Sequence, residues 1–128
     1  MNYQELYNES AQNPEKFWAE QANQIEWYKK PSKILSTDEN NYPLWFADGE
    51  INACYLALDK HIQDGFGENI AIIYDSPVTQ TVKKYTYNEV KTEVAKLAGG
   101  MLSLGLKKGN TAVIYMPMIP QAAFAMLA

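Results

Sequence analysis

The apolar residues in the first half of the chain recur mainly at helical spacing. Residues 13–31 begin with an Asn-Pro start signal, keep apolar residues at helical spacing and close at a proline. Residues 51–62, INACYLALDKHI, carry a second apolar stripe that two nearby glycines end. Residues 31–50 are polar and predict a loop, which Trp45 and Phe46 would hold against a core. The first half is therefore predicted to form two helices joined by a loop.

The pattern changes to one of strands alternating with helices after residue 68. Residues 70–75, IAIIYD, and residues 111–116, TAVIYM, are nearly continuous apolar runs, which are typical of strands buried on both faces. Residues 83–87 alternate and predict a short strand. Residues 88–105 carry apolar side chains at helical spacing. This order predicts a strand, a long helix and a second buried strand.

The long helix carries clear end signals. Thr86 and Glu89 have the spacing of a capping box at its start, and Gly105 is suited to its end. Gly99 and Gly100 lie inside it, where each costs about 1 kcal/mol relative to alanine. This cost predicts that the two glycines permit a close contact with a neighbouring element.

The order strand, helix, strand, helix implies a parallel βαβ crossover. The predicted fold class is therefore α/β, with an N-terminal helical segment over residues 1–67 followed by the first βαβ part of a larger domain over residues 68–128. The last helix, AAFAMLA, follows a turn over residues 116–121 and carries no cap. We therefore expect this helix to continue into further sequence.

Charge and length narrow the class of protein. The chain has 128 residues and a net charge of −4, which argues against non-specific nucleic-acid binding. Residues 1–75 carry 5 lysines and 13 acidic residues, whereas residues 76–128 carry 6 lysines and 2 acidic residues. All 11 basic residues are lysines, so no arginine is present to clamp a phosphate or carboxylate in two places. Either composition bias or a clamp located outside this stretch explains that absence.

Single residues give little indication of catalysis. His61 is the only histidine, and its position on a helix flank favours a surface or boundary role over that of a general base. Cys54, the only cysteine, is expected to be a small core residue and not a nucleophile. Glu89 and Glu93 share a helix face with Lys96 nearby, which favours a solvated charged face. No spacing of ligand residues indicates a metal site.

Two features have some potential as ligand sites. Lys83, Lys84, Lys107 and Lys108 flank the predicted strands and could attract an anion, although exposed lysines beside turns usually serve solvation. The turn over residues 116–121 follows a predicted strand and begins a helix, and ligands bind at this edge of open α/β sheets. Neither feature specifies a reaction, and no glycine-rich phosphate loop is present.

Localisation is predicted from what the sequence contains. No apolar run reaches the roughly 18 residues of a membrane span, so we expect no membrane association. The polar, acidic start MNYQELYNES is neither a secretory signal nor an arginine-rich transit peptide. A single cysteine fits a reducing compartment. The expected location is cytoplasmic, or the mitochondrial matrix in a eukaryote.

Several stretches read in order resemble the short-chain acyl-CoA synthetases of the adenylate-forming superfamily. They include FWAEQANQIEWYKKP, WFADGEINACYLALDKHI, YTYNEVKTEVAKLAGGMLSLGLKKGN and AVIYMPMIPQAAFAMLA. The resemblance covers nearly the whole chain. The stretch IAIIYDSPVTQT is more similar to the propionyl-CoA synthetase branch than to the acetyl-CoA synthetase branch.

The resemblance implies a function for a longer parent enzyme. In this family a carboxylate such as propionate or acetate attacks the α-phosphate of ATP with the help of Mg²⁺, and CoA then displaces AMP from the acyl-AMP. The phosphate loop, acyl pocket, ribose-binding acid and mobile lysine of the family all lie downstream of residue 128. No catalytic, cofactor-binding or metal residue is therefore assigned in this chain. The chain is expected to be an inactive amino-terminal fragment that binds none of ATP, Mg²⁺ or CoA.

Two alternatives remain. The chain would be a stand-alone interaction module if its reading frame stopped at residue 128, or an independent α/β nucleotide binder if it bound ATP, AMP or CoA by itself. Because two parallel strands leave open sheet edges, the isolated chain is also expected to self-associate.

Overall fold

A computed structural model describes residues 2–128, which divide into two compact units, residues 2–52 and residues 53–128. Each unit combines helices with one small two-stranded sheet. No helix among residues 2–128 is long and apolar enough to cross a membrane.

The first unit begins with two short helices, α1 (Tyr3–Gln12) and α2 (Pro14–Ala22). Helix α1 starts with a capping box, in which the Asn2 side chain accepts from the Glu5 backbone N–H at 2.9 Å. Helix α2 starts at Pro14 as predicted but ends at Ala22, well before the proline that was expected to close it. The backbone N–H groups of residues 23–25 bond to carbonyls three residues back, which tightens the chain into a turn. The Trp27 indole N–H adds a bond to the Ala22 carbonyl at 2.8 Å.

A β-hairpin occupies the stretch predicted to be a loop. Strands β1 (Leu35–Thr37) and β2 (Pro43–Trp45) pair antiparallel, with Leu35 opposite Trp45. Asp38 organises the connection, since one carboxylate oxygen accepts from the backbone N–H groups of residues 40 and 42 at 2.8 Å each. The prediction of a loop over residues 31–50 was therefore wrong for these two strands.

Several aromatic rings contact one another in the first unit. The Trp45 ring lies 6.2 Å from the Trp18 ring, and the Phe46 ring lies 5.6 Å from the Trp27 ring. Trp45 and Phe46 thus contact other aromatic rings, but the core against which they were predicted to lie is not found among residues 2–52. Among residues 2–52 only Ala22 is buried, so the unit has a contact network in place of a closed core.

The second unit starts with a helical stretch from residue 53 that contains two π-helical segments, Tyr55–Asp59 and Ile62–Phe66. Leu58 is buried, as the predicted apolar stripe requires. Gly65 has a φ of 90°, a conformation that favours glycine and that turns the chain out of the helix.

Strands β3 (Ile70–Ser76) and β4 (Thr81–Thr86) form an antiparallel hairpin with Ile73 opposite Lys84. Both strands were predicted, but the burial of β3 on both faces was not observed, because Ile73 is 64% exposed. Strand β4 buries Tyr85.

The long helix α3 (Tyr87–Ser103) confirms the predicted end signals. Thr86 and Glu89 form the capping box, and Gly105 follows with a φ of 89°. The prediction that Gly99 and Gly100 permit close packing was wrong, since a Cβ at either position would meet no described atom within 4 Å.

One hydrophobic core holds the second unit together. Helix α4 (Pro120–Leu127) forms where a terminal helix was predicted, and its Phe124 side chain packs into this core. The buried members of the cluster are Leu58, Tyr85, Val90, Val94 and Phe124. The core therefore joins the first helical stretch, β4, α3 and α4.

Residues 111–116 are the main departure from the predicted fold. Within the described part of the chain they belong to no strand, and all of them are exposed. The predicted parallel crossover is thus absent from residues 2–128, and the sheets are two antiparallel hairpins. A strand needs a hydrogen-bonded neighbour, and the described residues supply none here. The predicted α/β class, with a helical first segment, is confirmed.

Candidate functional site

One cavity of the second unit is an open groove of about 380 Å³ above the first half of α3. Strand β4 and helix α4 provide its other walls. We call it the α3 groove, and its lining residues are Lys83, Tyr85, Asn88, Glu89, Thr92, Glu93, Gln121 and Phe124.

The floor of the α3 groove is aromatic. The Tyr85 and Phe124 rings lie 5.4 Å apart at 80°, an edge-to-face contact, and both side chains are buried. The Lys83 ammonium lies 4.5 Å from the centre of the Tyr85 ring, so the cation rests on the face of that ring. The floor thus combines an apolar surface with one positive charge at its edge.

The rim of the groove is polar, and its groups already have protein partners. The Asn88 amide donates to the Glu68 carboxylate at 2.7 Å, and Glu89 accepts from the Thr86 backbone N–H at 2.8 Å in the capping box. Glu93 pairs with Lys96 at 2.8 Å, which confirms the predicted solvated charged face. These bonds fix the rim in one arrangement.

The chemistry of the α3 groove is that of a binding surface. Its charged residues already have partners within the chain: Glu89 in the capping box, Glu93 with Lys96, and Lys83 on the Tyr85 ring. Two carboxylates face any entering group, which would repel a polyphosphate. Within residues 2–128, no group of three or more His, Cys, Asp or Glu side chains is placed to hold a metal ion. The lining of the α3 groove therefore does not favour a polyphosphate, and we derive no reaction step on it.

The turn over residues 116–121, which was predicted to lie at a ligand-binding edge, contributes residues to two separate cavities. Gln121 lines the α3 groove, while Met116 and Pro117 line a separate open cleft of about 300 Å³ with Tyr115. Of the four lysines proposed to attract an anion, Lys83 alone lines the groove. The structure thus brings one end of the turn and one lysine to the same cavity.

His61 and Cys54 lie away from the α3 groove. The His61 ring is 5.1 Å from the Tyr87 ring and is half-buried, which supports the predicted boundary role. Cys54 packs against the core, and burial raises the pKa of its thiol. The Asp59 carboxylate raises that pKa further, while Lys91, which bonds Asp59 at 2.6 Å, opposes the change. A raised thiol pKa opposes a nucleophilic role.

Sequence reasoning missed the two aromatic residues of the groove floor. Tyr85 occupies an inward position of an alternating strand, and this alternation was a usable signal. The contact with Phe124 had no local signal, because it joins residues far apart in the sequence.

Comparison with known families identifies the class of the chain. Residues 3–57 match the family described as acetyl-coenzyme A synthetase N-terminus, and residues 60–128 match the family described as AMP-binding enzyme. Because the second match covers more than half of the chain, the chain belongs to the AMP-binding enzyme family. The resemblance to short-chain acyl-CoA synthetases is confirmed.

Particular relatives refine this result. The chain is 51% identical to the human mitochondrial acyl-CoA synthetase short-chain family member 3, over 98% of this chain and 18% of that protein. It is 43% identical to the acetyl-coenzyme A synthetase of Shewanella frigidimarina, over 98% of this chain and 20% of that protein. The chain thus spans about a fifth of the length of the curated relatives it matches.

A solved structure shares the fold. The acetoacetyl-CoA synthetase from Streptomyces lividans matches with a TM-score of 0.82 at 24% identity. The match covers 99% of this chain and 20% of that protein.

Proposed function

We propose that this chain is the amino-terminal part of an ATP-dependent acid–CoA ligase that activates a short-chain carboxylate. The observation that carries the proposal is the pair of adjoining family matches, over residues 3–57 and 60–128, which leaves almost no residue unassigned. In this proposal residues 1–67 are a helical cap segment and residues 68–128 begin the large AMP-binding domain. The location is cytoplasmic, or the mitochondrial matrix in a eukaryote.

The proposed reaction has two steps. A carboxylate oxygen bonds to the α-phosphorus of ATP and pyrophosphate leaves, and the CoA sulfur then bonds to the acyl carbon while AMP leaves. ATP, CoA and Mg²⁺ are therefore the proposed requirements of the whole enzyme. Because the α3 groove does not favour a polyphosphate, these steps are assigned to residues beyond 128 and the 128-residue chain is proposed to be inactive.

Propionate is the proposed substrate, with acetate as the second choice. The stretch IAIIYDSPVTQT is more similar to the propionyl-CoA synthetase branch. The chain is also 51% identical to the short-chain family member 3 relative and 43% identical to an acetyl-coenzyme A synthetase, and this difference supports the same choice.

The test compares two proteins in one assay. The 128-residue chain and the product of the complete reading frame that contains it are assayed for carboxylate-dependent exchange of pyrophosphate into ATP. We expect exchange only with the longer protein, and faster exchange with propionate than with acetate at equal concentration.

Each contrary result would overturn a defined part of the proposal. Exchange by the 128-residue chain would refute its inactivity. A reading frame that stops at residue 128 would refute the parent enzyme and favour an interaction module. Faster exchange with acetate would refute the substrate alone.

A further inference from the structure

The chain contains two Asp-Gly pairs, Asp48-Gly49 in the first unit and Asp64-Gly65 in the second. In such a pair the backbone nitrogen of glycine can reach the carboxyl carbon of the aspartate, because glycine has no Cβ to obstruct the approach. A bond between these two atoms closes a succinimide ring, which opens to aspartate or to isoaspartate. The two pairs share this chemistry but differ in their surroundings, so the fold decides which of them reacts.

We propose that Asp64 isomerises spontaneously to isoaspartate in the folded chain, whereas the fold protects Asp48. The Gly65 nitrogen bonds to the carboxyl carbon of Asp64, and the carboxyl hydroxyl leaves as water with the proton of that nitrogen. Water then adds to the backbone carbonyl carbon of Asp64, whose bond to the Gly65 nitrogen breaks. The backbone now passes through the former side chain, with no net change in composition and no co-reactant except water. The proposal does not depend on the proposed ligase function.

Both reacting groups of the Asp48-Gly49 pair are held by hydrogen bonds. The Ser32 backbone N–H donates to the two Asp48 carboxylate oxygens at 3.0 and 3.1 Å, and the Gly49 N–H donates to the Phe46 carbonyl at 2.9 Å. Bonds from the Ser32 side chain and backbone also lower the pKa of the Asp48 carboxyl to about 2, which favours the ionised form. An ionised carboxylate has no hydroxyl to lose, so these contacts oppose ring closure.

Packing against an indole ring also restrains the first pair. A Cβ built on Gly49 would lie 2.6 Å from the Trp27 ring, so the backbone passes close to that ring. The next residue, Glu50, is fixed as well, because its N–H donates to the Lys29 carbonyl at 2.9 Å and its carbonyl accepts from the Lys29 N–H at 3.2 Å. Ring closure has to rotate the peptide between Asp48 and Gly49, and these contacts oppose that rotation.

The backbone of the second pair lies in a less regular element. Asp64 belongs to the π-helical segment Ile62–Phe66, and π-helical turns are rare compared with α-helical ones. Gly65 has a φ of 90° within this segment and so interrupts the helix directly after Asp64. A Cβ built on Gly65 would meet no described atom within 4 Å. The peptide between the two residues therefore has space to rotate.

The Asp64 carboxylate is bound by a side chain of its own helical stretch. Lys60 donates to its two oxygens at 2.6 and 2.7 Å, and the Lys60 and Asp64 side chains are 36% and 42% exposed. Ion pairs of this kind on a helix surface contribute little and open readily. The Lys60 contact therefore restrains Asp64 less than the Ser32 backbone restrains Asp48.

Isomerisation would lengthen the backbone where the helical stretch leads into β3. The Gly67 carbonyl accepts from the Asn88 backbone N–H at 3.0 Å, and the Glu68 carboxylate accepts from the Asn88 side chain at 2.7 Å. Gly67 is buried, and a Cβ on it would lie 2.7 Å from the Asn88 amide nitrogen. Because this connection is closely packed, an added backbone carbon nearby should displace these bonds and destabilise the second unit.

The first test incubates the 128-residue chain at mildly acidic pH and measures isoaspartate at each position. Peptide mapping by mass spectrometry with electron-transfer fragmentation distinguishes isoaspartate from aspartate. We expect about ten times more isoaspartate at position 64 than at position 48, because closure at position 48 has to break the bonds to its carboxylate and to the Gly49 N–H. More isoaspartate at position 48, equal amounts at the two positions, or none at either would overturn the proposal.

Asp64→Glu is the matched control. The longer side chain keeps the negative charge that Lys60 binds, but its closure would form a six-membered ring, which is much slower. We expect the isomer at position 64 to disappear, and we expect incubation to lower the urea midpoint of the original chain more than that of the variant. An isomer signal that survives in Asp64→Glu, or equal losses of stability in the two proteins, would refute ring closure at Asp64 as the cause.

Incubation in concentrated urea separates the effect of the fold from that of the local sequence. The hydrogen bonds and packing around Asp48 are lost in the unfolded chain, so the two pairs should isomerise at similar rates. If position 64 kept the same advantage in urea, the neighbouring residues in the sequence and not the fold would select it, and the proposed protection of Asp48 would be wrong.

Discussion

Residues 2–52 and residues 53–128 are held together by different kinds of interaction. The first unit buries one side chain, Ala22, and depends on ring contacts and on hydrogen bonds in turns. The second unit buries five apolar side chains in one cluster. Burial of a large side chain contributes about 1.5–3 kcal/mol, more than a typical hydrogen bond at about 1 kcal/mol. We therefore expect single substitutions to cost more in the second unit.

The largest expected effect is that of Phe124→Ala. Phe124 is 4% exposed and meets Tyr85 edge to face, so its removal leaves a cavity and should lower the free energy of unfolding by about 3–5 kcal/mol. Urea denaturation followed by circular dichroism measures this loss. The matched control is Met126→Ala on the same helix, where Met126 is 79% exposed and a change below about 0.5 kcal/mol is expected.

Tryptophan fluorescence, recorded in the same urea denaturation, follows the first unit separately. All three tryptophans lie in the first unit, so their emission follows residues 1–52. We expect Phe124→Ala to leave the urea midpoint of the tryptophan signal unchanged. If the midpoints of tryptophan emission and of circular dichroism shifted equally, the separation into two units would be contradicted.

In the first unit, Trp27→Phe should cost about 1 kcal/mol. The substitution keeps an aromatic ring beside Phe46 but removes the indole N–H that donates to the Ala22 carbonyl at the end of α2. Thermal unfolding measured by circular dichroism is the readout. Trp18→Phe is the control, because it shrinks an indole in the same unit without touching this bond. Equal losses in the two variants would show that ring size and not the hydrogen bond matters.

Loss of the capping box of α3 should destabilise the second unit by about as much as Trp27→Phe destabilises the first. Thr86→Ala removes the acceptor for the Glu89 backbone N–H and should lower the free energy of unfolding by about 1 kcal/mol. Thr86→Ser keeps the hydroxyl and should restore most of that stability. If serine fails to rescue the variant, the methyl group and not the cap carries the effect.

Stabilisation is expected at Gly100. A Cβ at this position meets no described atom within 4 Å, so Gly100→Ala should raise the free energy of unfolding by about 0.5–1 kcal/mol. Gly105→Ala is the opposite control, because its φ of 89° disfavours alanine and the variant should be less stable. A loss of stability in Gly100→Ala would show that something covers this face in solution.

The smallest expected effect is the pH dependence of stability that Asp48 gives to the first unit. The Ser32 side chain and backbone N–H both donate to Asp48 and lower the pKa of its carboxyl from 3.8 to about 2. The backbone bonds to the two carboxylate oxygens measure 3.0 and 3.1 Å. Because the folded-state pKa is lowered, the contribution is fully present above about pH 4 and is lost as the pH falls through about 2.

A carboxyl titration by NMR tests this shift. Ser32→Ala removes the largest cause and should raise the Asp48 pKa toward its ordinary value. Ser36→Ala, whose hydroxyl bonds the Leu44 carbonyl, should leave that pKa unchanged. A low Asp48 pKa that survives Ser32→Ala would assign it to the backbone bonds alone.

Local signals predicted the elements that local physics determines. The capping box at Thr86, the stop at Gly105 and the strands around residues 70–75 and 83–87 follow from side-chain chemistry and spacing within a few residues. The hairpin in residues 31–50 was missed because its strands are only three residues long and its turn depends on Asp38.

Other predictions that were wrong depended on contacts between residues far apart in the sequence. Apolar character at residues 111–116 was interpreted as burial, but burial requires a neighbour that the described residues do not contain. The Gly99-Gly100 pair failed for the same reason, because close packing also needs a partner. The α3 groove could be predicted only in part, through Lys83 and Gln121, since the contact between Tyr85 and Phe124 joins β4 to α4.

The exposure of residues 111–116 has a consequence for proteolysis. Chymotrypsin cleaves after aromatic residues in exposed, irregular stretches, and the Tyr115 side chain is 99% exposed in a stretch that forms no helix or strand. Cleavage after Tyr115 would detach residues 116–128, and with them Phe124, from the core of the second unit. A single cut by chymotrypsin in an exposed stretch would thereby open the best-packed part of the molecule.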